Sequence, residues 1–480
     1  MGHGHNHIEV KQEQFVFSTK AKRFSIILMI VGLVFAGIGI FTLGGLDNSH
    51  PPESSNVNHE TESLTAQHHT KHEQNSGTLV SQTKENHSIG EESHGNEPNE
   101  DFGPRMVFRP SEKPASTHIW ANLLIVGYFF LMISLASVMW YTIQYVANSG
   151  WSVAIKRVPE AMMTFIPIGF IVLMIALYFG KNEIYHWVHY EHLGLKPGEA
   201  GYDKILAGKS GFLNTTMLFA FPTVLVSIYY LLMRKLRSLS VQEDSAAKGD
   251  ASFFKRGIRF SAVYTVLFGF TMSVLVWFVV MSVDAHWYST IFGVYNFITH
   301  WVTSITIIAF IVAYLKKEGY LGVVSNEHMH DLGKFMFAFT VFWAYLWWSQ
   351  YLLIWYAQIP EEMSYYQLRF EDYKFNFLLN FLVCFVIPFL GLLMRSAKRN
   401  RYVLGIIGSI MILGHYHDVW LMVFPGIFGP GMQFGFLELG IFLLFAGIFI
   451  FWVFTALSKR GLIATNHPYI EESVNHDVGV

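Results

Sequence analysis

The chain has 480 residues, of which 52% are hydrophobic, 16% aromatic and only 14% charged, and its mean hydropathy is +0.34. Soluble domains carry about 25% charged residues, so this composition excludes an ordinary water-soluble enzyme and indicates a membrane protein. A formal net charge of −2 gives no basic surface of the kind that binds nucleic acid. The single cysteine, Cys384, excludes an internal disulfide, a cysteine-ligated iron–sulfur cluster and a c-type haem attachment site within this chain.

Ten apolar runs are long enough to cross the hydrocarbon core of a bilayer as helices. We therefore predict an all-α integral membrane protein with ten transmembrane helices, at residues 24–44, 118–146, 161–180, 211–233, 260–283, 291–315, 334–358, 375–394, 402–424 and 434–457. One set of alternating connections holds about twice as many Lys and Arg residues as the other, and basic connections stay in the cytoplasm. Both termini are therefore predicted to be cytoplasmic, with the connections at 284–290 and 425–433 facing outward.

The N-terminal part of the chain combines a tail, an anchor and a polar segment. After the cytoplasmic tail at 1–23, the helix at 24–44 is interpreted as an anchor rather than a cleaved signal peptide, because its apolar run is too long. Residues 45–117 form an outward, periplasmic segment rich in Ser, Asn, Glu and His, and this composition predicts disorder. Its histidines are irregularly spaced and have no cysteine neighbours, which favours a solvated low-complexity segment over a metal site.

Polar and ionisable residues inside the predicted helices are the candidate functional residues, because each ionisable group costs about 2.5 to 3.5 kcal/mol at bilayer depth. In chain order they are His118 in helix 2, Asp284 and His286 directly after helix 5, His300 in helix 6, Gln350 in helix 7, His415 and Asp418 in helix 9, and Glu438 in helix 10. All of them lie in the outward half of the predicted topology. This distribution predicts a proton path or a quinol-proximal site that opens outward.

His415 and Asp418 are three residues apart and share one helix face. A carboxylate orients a neighbouring imidazole and keeps it protonatable near neutral pH, as is needed to accept a proton from a quinol. The alternative is a buried hydrogen-bonded pair that holds helices together, and both interpretations stay open. Two interpretations of Asp284 and His286 also stay open. They could form a proton exit or the entrance to a quinol site, or they could cap a helix beside interfacial aromatic residues. His300 alone favours a structural role.

Three further features of the predicted helices carry no site assignment. The aromatic residues of helix 7, among them Trp343 and Trp347, are typical of packing and of membrane interfaces. The prolines inside helices 3, 4 and 8 are Pro167, Pro222 and Pro388, and a simple kink and a freed backbone carbonyl explain each of them equally well. A haem b held by His300 with His415 or His417 is disfavoured, because the nearby Asp418 would need a partner of its own beside the iron ligand.

Three stretches together resemble one known family: DAHWYSTIFGVY at 284–295, DLGKFMFAFTVFWAYLWWSQYLLIWYAQIPEE at 331–362 and GHYHDVWLMVFPG at 414–426. Over about residues 20–460 the chain is similar to the ActF membrane proteins of bacterial alternative complex III, a quinol:cytochrome c oxidoreductase, and to the related membrane component of polysulphide reductase. The resemblance implies two four-helix bundles with two peripheral helices. The bundles would occupy 118–283 and 284–424, followed by the tenth helix within 425–457 and a cytoplasmic tail at 458–480.

The resemblance also implies a place in the bacterial inner membrane within a multi-subunit complex. The partners it implies are a paralogous quinol-binding membrane subunit, multihaem and monohaem cytochromes c, an iron–sulfur subunit, in some members a terminal oxidase, and membrane lipids. Haem c and iron–sulfur clusters would belong to those partners. This chain itself would bind no redox cofactor, and quinone or menaquinone is its candidate ligand. Carried onto this sequence, the resemblance supports Asp284, His286, His415 and Asp418 as buried polar residues of a proton path.

We therefore expect a membrane subunit of a respiratory quinol:cytochrome c or quinol:oxidase electron-transfer complex, which contributes a quinol-accessible or proton-conducting cavity on the periplasmic side. No catalytic residue and no metal ligand is assigned. The first alternative is a purely structural paralogue that braces the complex. The second is a secondary transporter, which the sequence favours least because it lacks paired interrupted helices in matching halves.

Overall fold

The computed structural model describes residues 12–47, 113–199, 201–247 and 250–477, and these residues form helices joined by turns and loops, without a strand. Among them, ten helices are long and apolar enough to cross a membrane: α1 (Thr19–Leu43), α2 (Ala115–Val146), α3 (Arg157–Ile184), α4 (Thr215–Asp244), α5 (Ser252–Val279), α6 (Thr290–Lys317), α7 (Asn326–Ala357), α8 (Lys374–Gly391), α9 (Arg401–Phe428) and α10 (Phe436–Ser458). The predicted all-α class with ten candidate transmembrane helices is confirmed. Most of the polar segment predicted at 45–117 lies outside the described residues.

Each observed helix overlaps one predicted helix, and the larger differences lie at ends that carry charged residues. Helix α3 begins at Arg157 rather than near 161, and Arg157 contacts Glu160 at 2.7 Å within its first turn. Helix α7 begins at Asn326 rather than near 334, because the Ser325 hydroxyl accepts a hydrogen bond from the backbone N–H of Glu327. A hydropathy pattern places charged residues outside the predicted helices. In the structure, helix caps and ion pairs stabilise these residues within the first turns of the helices.

Helix α2 is the centre of the fold. Its most apolar part is 94% buried, whereas the corresponding part of α1 is 11% buried. A helix that is apolar on all sides must be enclosed by other helices. Accordingly, α2 packs against α3 and α5 of its own group, against α6 and α9 of the second group, and against α10. Helices α2–α5 form one group around α2, and α6–α9 form the other.

Helices α1 and α10 pack on each other through glycines. A Cβ atom added to Gly32 would lie 2.4 Å from the Leu444 nitrogen, and one added to Gly440 would lie 2.3 Å from the Ala36 nitrogen. The two backbones therefore touch at places where only glycine fits. This contact attaches the otherwise exposed helix α1 to the rest of the molecule.

The end of the molecule that holds the connections 284–290 and 425–433 is here called the outer end, and the opposite end the inner end, after the predicted topology. The segment after α10 crosses the inner end. The Leu462 N–H donates to the Glu13 carbonyl at 2.7 Å, the Ser473 hydroxyl donates to the Trp151 carbonyl at 2.8 Å, and the His476 ring contacts the Asp331 carboxylate at 2.7 Å. The C-terminal segment thus contacts the chain before α1, the connection between α2 and α3, and the first turns of α7.

Candidate functional site

Polar side chains from four helices meet at Asp418 of α9, which is 1% exposed. Its Oδ1 atom accepts hydrogen bonds from the Tyr295 hydroxyl at 2.5 Å and the Asn380 amide at 2.7 Å. Its Oδ2 atom accepts hydrogen bonds from the Thr299 hydroxyl at 2.9 Å and the Trp343 indole N–H at 3.1 Å. These five residues are called the Asp418 site. Each donor is neutral, so the carboxylate is held by dipoles rather than by a directly bound cation.

The positions of the donors follow from local helix geometry. Tyr295 and Thr299 are four residues apart on α6 and therefore present their hydroxyls on the same face. On α8, Asn380 lies just before a π-helical turn at Leu382–Val386. The Cys384 thiol of this turn donates to Asn380 Oδ1 at 3.3 Å, so the Asn380 N–H groups are directed to Asp418. Such wide turns are frequent at functional sites.

A small cavity adjoins the Asp418 carboxylate on the side of the outer end. The cavity is about 20 Å³, and its polar lining includes Asp418, Tyr295, Gln350, Tyr366 and Arg369. This volume holds about one water molecule. The Gln350 side-chain oxygen is buried without a hydrogen-bond partner in the described structure, so the wall offers an acceptor as well as donors. The cavity can therefore accommodate a proton carrier of the size of water.

Arg369 is a buried cation at this cavity. It lies in the short helix Pro360–Glu371 after α7, and it is 2% exposed. Its Nη2 atom donates to the carbonyls of Leu421 at 3.1 Å and Met422 at 3.3 Å, in the outward half of α9. The Leu421 carbonyl is available because Pro425, four residues later, has no N–H to donate to it. The proline of α9 thus creates an acceptor for a buried arginine.

Arg369 belongs to a stack of three flat groups at the outer end. Its guanidinium carbon lies 3.3 Å from the centroid of the Tyr365 ring, and Tyr365 in turn stacks on Trp287, whose ring centroid is 4.0 Å away at an angle of 11°. Burial raises the pKa of the Tyr365 phenol to about 12, although the Arg369 cation opposes this shift. Trp287 belongs to the connection 284–290, so the structure brings this predicted outward connection close to the wall of the cavity.

The predicted candidate Asp284 lies in the turn Met281–Asp284, at the end of α5, and is 8% exposed. It is close to Lys209, whose Nζ atom donates to the Ala285 carbonyl at 2.5 Å. Burial lowers the pKa of Lys209, and the nearby Asp284 carboxylate opposes this shift. The hydrogen bond from Lys209 to Ala285 therefore joins two outer connections next to Asp284.

The predicted candidate His286 pairs with Asp203, with 2.5 Å between His286 Nε2 and Asp203 Oδ2. Its ring also stacks on His186 with 5.4 Å between the centroids. Burial disfavours ionisation of Asp203, but the hydrogen bonds from His286 and from the Leu206 backbone outweigh burial and lower the pKa of Asp203. His286 thus connects outer loops and is not part of the Asp418 site.

The predicted pairing of His415 with Asp418 is not formed. Both ring nitrogens of His415 are buried without a hydrogen-bond partner in the described structure, and the ring packs edge-on against Trp343 with 5.7 Å between the centroids. His300 Nδ1 contacts the Asn296 carbonyl at 2.7 Å, and its ring packs edge-on against Tyr128. Donors from α6, α7 and α8 occupy the Asp418 oxygens, so the carboxylate has no need of the imidazole on its own helix.

His118 and Glu438 belong to a second polar group near the outer end. The Asn122 amide donates to Glu438 Oε1 at 3.1 Å and to the His118 carbonyl at 2.9 Å. Glu438 Oε2 accepts from the backbone N–H of Gly435 at 2.8 Å, as expected for a glutamate in the first turn of a helix. The His118 ring stacks on Phe428 at 4.2 Å. These contacts join α2, α9 and α10 and cap α10.

Four residues of the site and its cavity were not predicted from the sequence, namely Tyr295, Thr299, Asn380 and Arg369, and Trp343 was predicted to be a packing residue. Uncharged polar side chains are common in apolar helices, and only their convergence on one carboxylate distinguishes these. One signal was available. Pro425 inside an apolar helical run frees a carbonyl, and a freed carbonyl in an apolar environment requires a donor such as Arg369.

The described residues contain no group of three or more His, Cys, Asp or Glu side chains arranged to hold a metal ion. The Asp418 site combines a phenol, a hydroxyl, an indole, an amide and one carboxylate, a set suited to hydrogen bonding and proton exchange.

No protein-family model matches this chain, and no curated protein is similar to it. Its function is therefore to be inferred from the chemistry of the Asp418 site and from the three sequence stretches.

Proposed function

We propose that this chain is a membrane subunit of a respiratory quinol:cytochrome c or quinol:oxidase electron-transfer complex, without a redox centre of its own, in which Asp418 exchanges protons with the outer side. The observation that carries the proposal is a buried carboxylate with four neutral donors beside a cavity for about one water molecule. Each of the three stretches that suggest the family contributes one residue of this site, namely Tyr295, Trp343 and Asp418.

The surroundings of Asp418 suit a change of protonation. Burial favours the neutral carboxyl, because a charge loses its hydration in an apolar interior. The donors at 2.5 to 3.1 Å favour the carboxylate, because each of them stabilises negative charge. A carboxyl held between two opposing influences of this kind can gain or lose a proton with little rearrangement. The adjoining cavity gives that proton an exit toward the outer end.

The size of the cavity supports proton conduction over quinol binding in this chain. Sites for small organic ligands usually enclose about 300 to 1,000 Å³. The cavity beside Asp418 is about 20 Å³, and its walls include the rings of Trp347 and Phe377. A quinol oxidised in a neighbouring subunit would supply protons without entering this space.

A second function, a purely structural role, is favoured by one specific observation. The hydrogen bonds of Asp418 connect α9 to α6, α7 and α8. Such a network alone fixes the second helix group, whether or not protons pass through it.

The test is Asp418→Asn in the assembled complex, because asparagine keeps the shape of the side chain and removes its titration. We expect proton release coupled to quinol oxidation to fall about 100-fold, as is typical when a positioned proton-transfer group is lost. The measurement is proton release into the medium by complex reconstituted in liposomes. The control is His417→Gln, since His417 contacts Asn376 and stacks on Trp420 rather than facing the cavity.

The two functions give different outcomes. Unchanged proton release in Asp418→Asn together with weaker assembly of the complex would establish the structural role and reject proton exchange at Asp418. Loss of release in an intact Asp418→Asn complex, with normal release in His417→Gln, would establish proton exchange.

A further inference from the structure

We propose that Arg369 is the fixed counter-charge of the Asp418 site, a positioning residue that acts across the cavity and shifts the pH range in which Asp418 is ionised. The inference deepens the proposed function and rests on it for its biological meaning. The structural observation on which it stands is a buried guanidinium and a buried carboxylate on the wall of the same cavity.

Arg369 is a buried cation that makes no ion pair within the part of the chain that the structure describes. Its hydrogen-bond partners are the backbone carbonyls of Tyr365, Leu421 and Met422, and it also lies over the Tyr365 ring. A buried charge is costly unless it is compensated by negative charge nearby. Asp418 is the carboxylate that shares the cavity with it, so the two opposite charges can compensate each other across the cavity.

The position of Arg369 relative to Asp418 is fixed by helix α9 itself. Leu421 and Met422, whose carbonyls bind the guanidinium, follow Asp418 by three and four residues and so lie one turn farther along the same helix face. Pro425 keeps the Leu421 carbonyl free for Arg369. A planar guanidinium both stacks on a ring and donates in fixed directions, which an ammonium group cannot do.

Arg369 is also the permanent charge among the described groups that line the cavity. Other titratable groups lie near Asp418 on each element packed around it: Tyr295 on α6, Cys384 on α8, Tyr365 and Tyr366 on the helix Pro360–Glu371, and His415 on α9 itself. Asp284, at the end of α5, acts electrostatically on Tyr365. Tyrosine, cysteine and histidine can all be neutral near pH 7, whereas arginine stays charged. Arg369 therefore supplies the constant positive charge at this carboxylate.

The experiment follows the carboxyl of Asp418 directly. Infrared difference spectra of the complete protein, recorded over a pH titration, give the pH at which the protonated-carboxyl band is half lost, and Asp418→Asn identifies the band. In Arg369→Gln we expect this midpoint to rise by up to about one pH unit, the lower end of the effect of a neighbouring arginine on an acid, because the cavity separates the two groups. Arg369→Lys keeps the charge and should shift the midpoint by less than half as much. Arg399→Gln is the matched control, because Arg399 pairs with Glu327 at the inner end.

An unchanged midpoint in Arg369→Gln would overturn the inference and leave Arg369 a packing residue. If Arg369→Gln does not accumulate, Pro425→Ala takes its place. The new N–H competes for the Leu421 carbonyl and loosens Arg369, so we expect a smaller shift in the same direction, and no shift would overturn the inference. The spectra need no turnover. Normal proton release in Asp418→Asn would therefore reject the proposed function, whatever the midpoint in Arg369→Gln. Loss of proton release in Asp418→Asn together with an unchanged midpoint in Arg369→Gln would reject only the role of Arg369.

Discussion

Two buried sites, one at the inner end of the helices and one in the outward half of α9, stabilise their carboxylates in different ways. The inner charge cluster lies where α3 meets α4 and consists of Lys156, Arg157, Glu160, Glu243 and Asp244. In it, Lys156 contacts Glu243 at 2.7 Å, and Arg157 contacts both Glu160 at 2.7 Å and Asp244. At the Asp418 site the carboxylate receives four neutral donors instead, and the described cation at its cavity, Arg369, is bound to backbone carbonyls.

The comparison distinguishes buried charges that stabilise the fold from a buried carboxylate that can gain and lose a proton. Directly paired ions hold each other in the charged state, because neutralising either one leaves its partner as an uncompensated charge in an apolar environment. A carboxylate that is hydrogen-bonded to neutral donors, with its counter-charge across a cavity rather than in direct contact, is less constrained, so its proton can be exchanged. Burial alone does not distinguish the two groups, since Glu243 and Asp418 are both 1% exposed.

The largest expected effect concerns the inner charge cluster. Arg157→Met leaves Glu160 and Asp244 without their shared cation, and loss of one member of a buried ion pair costs about 3 to 5 kcal/mol. Thermal unfolding of the purified protein in detergent should show this loss of stability. The control is Lys334→Met, because Lys334 is 47% exposed in its pair with Asp331 and such pairs contribute about 0 to 1 kcal/mol. Equal losses in the two variants would contradict the structural role of the inner charge cluster.

A smaller effect is expected from one donor of the Asp418 site. Thr299→Val removes a hydrogen bond to the carboxylate, and a hydrogen bond to a charged group contributes about 1.5 to 3 kcal/mol. Thr306→Val is the matched control on the same helix, because the Thr306 hydroxyl donates to the Val302 carbonyl of its own helix. The two variants are compared by unfolding with denaturant in detergent. The difference between them should shrink in an Asp418→Asn background, where a neutral acceptor replaces the carboxylate, and an undiminished difference would show that Thr299 acts independently of the charge of Asp418.

The smallest effect is a change in pH dependence at the inner end. Burial lowers the pKa of His467 to about 2, with Lys156 and Arg157 adding to the shift. The folded protein therefore binds fewer protons here than the unfolded chain, whose histidine titrates near about 6.5. The contribution of neutral His467 to the free energy of unfolding is therefore fully present above that pH, and it decreases as the pH falls below it. His467→Gln should flatten the decline of the melting temperature between about pH 6.5 and pH 5, and an unaltered decline would mean that His467 does not titrate on unfolding.

The helices were predictable because the apolar runs are long and the bilayer thickness sets the length that a helix needs. The starts of α3 and α7 were predicted too late along the chain, since Arg157 and Glu160 satisfy each other and Ser325 caps α7. Such contacts are local, but they depend on side-chain geometry that hydropathy does not contain.

The candidate site was predictable only in part. Asp418 stood out because a carboxylate at bilayer depth is costly and therefore rare. The expected pairing with His415 was wrong, because spacing along one helix says nothing about donors on neighbouring helices. The residues that bind Asp418 come from α6, α7 and α8, and the stretch between Tyr295 and Asn380 includes two helix connections.

The sequence by itself determined that the chain is a bundle of ten apolar helices and that its buried acids need partners, because hydrophobic length and the cost of burying charge are properties of the residues present. Only the tertiary structure decided which partners those acids received. Hydrogen bonds reach about 3 Å, so whether Asp418 meets a histidine, an arginine or a ring of neutral donors depends on how the helices pack and rotate against each other.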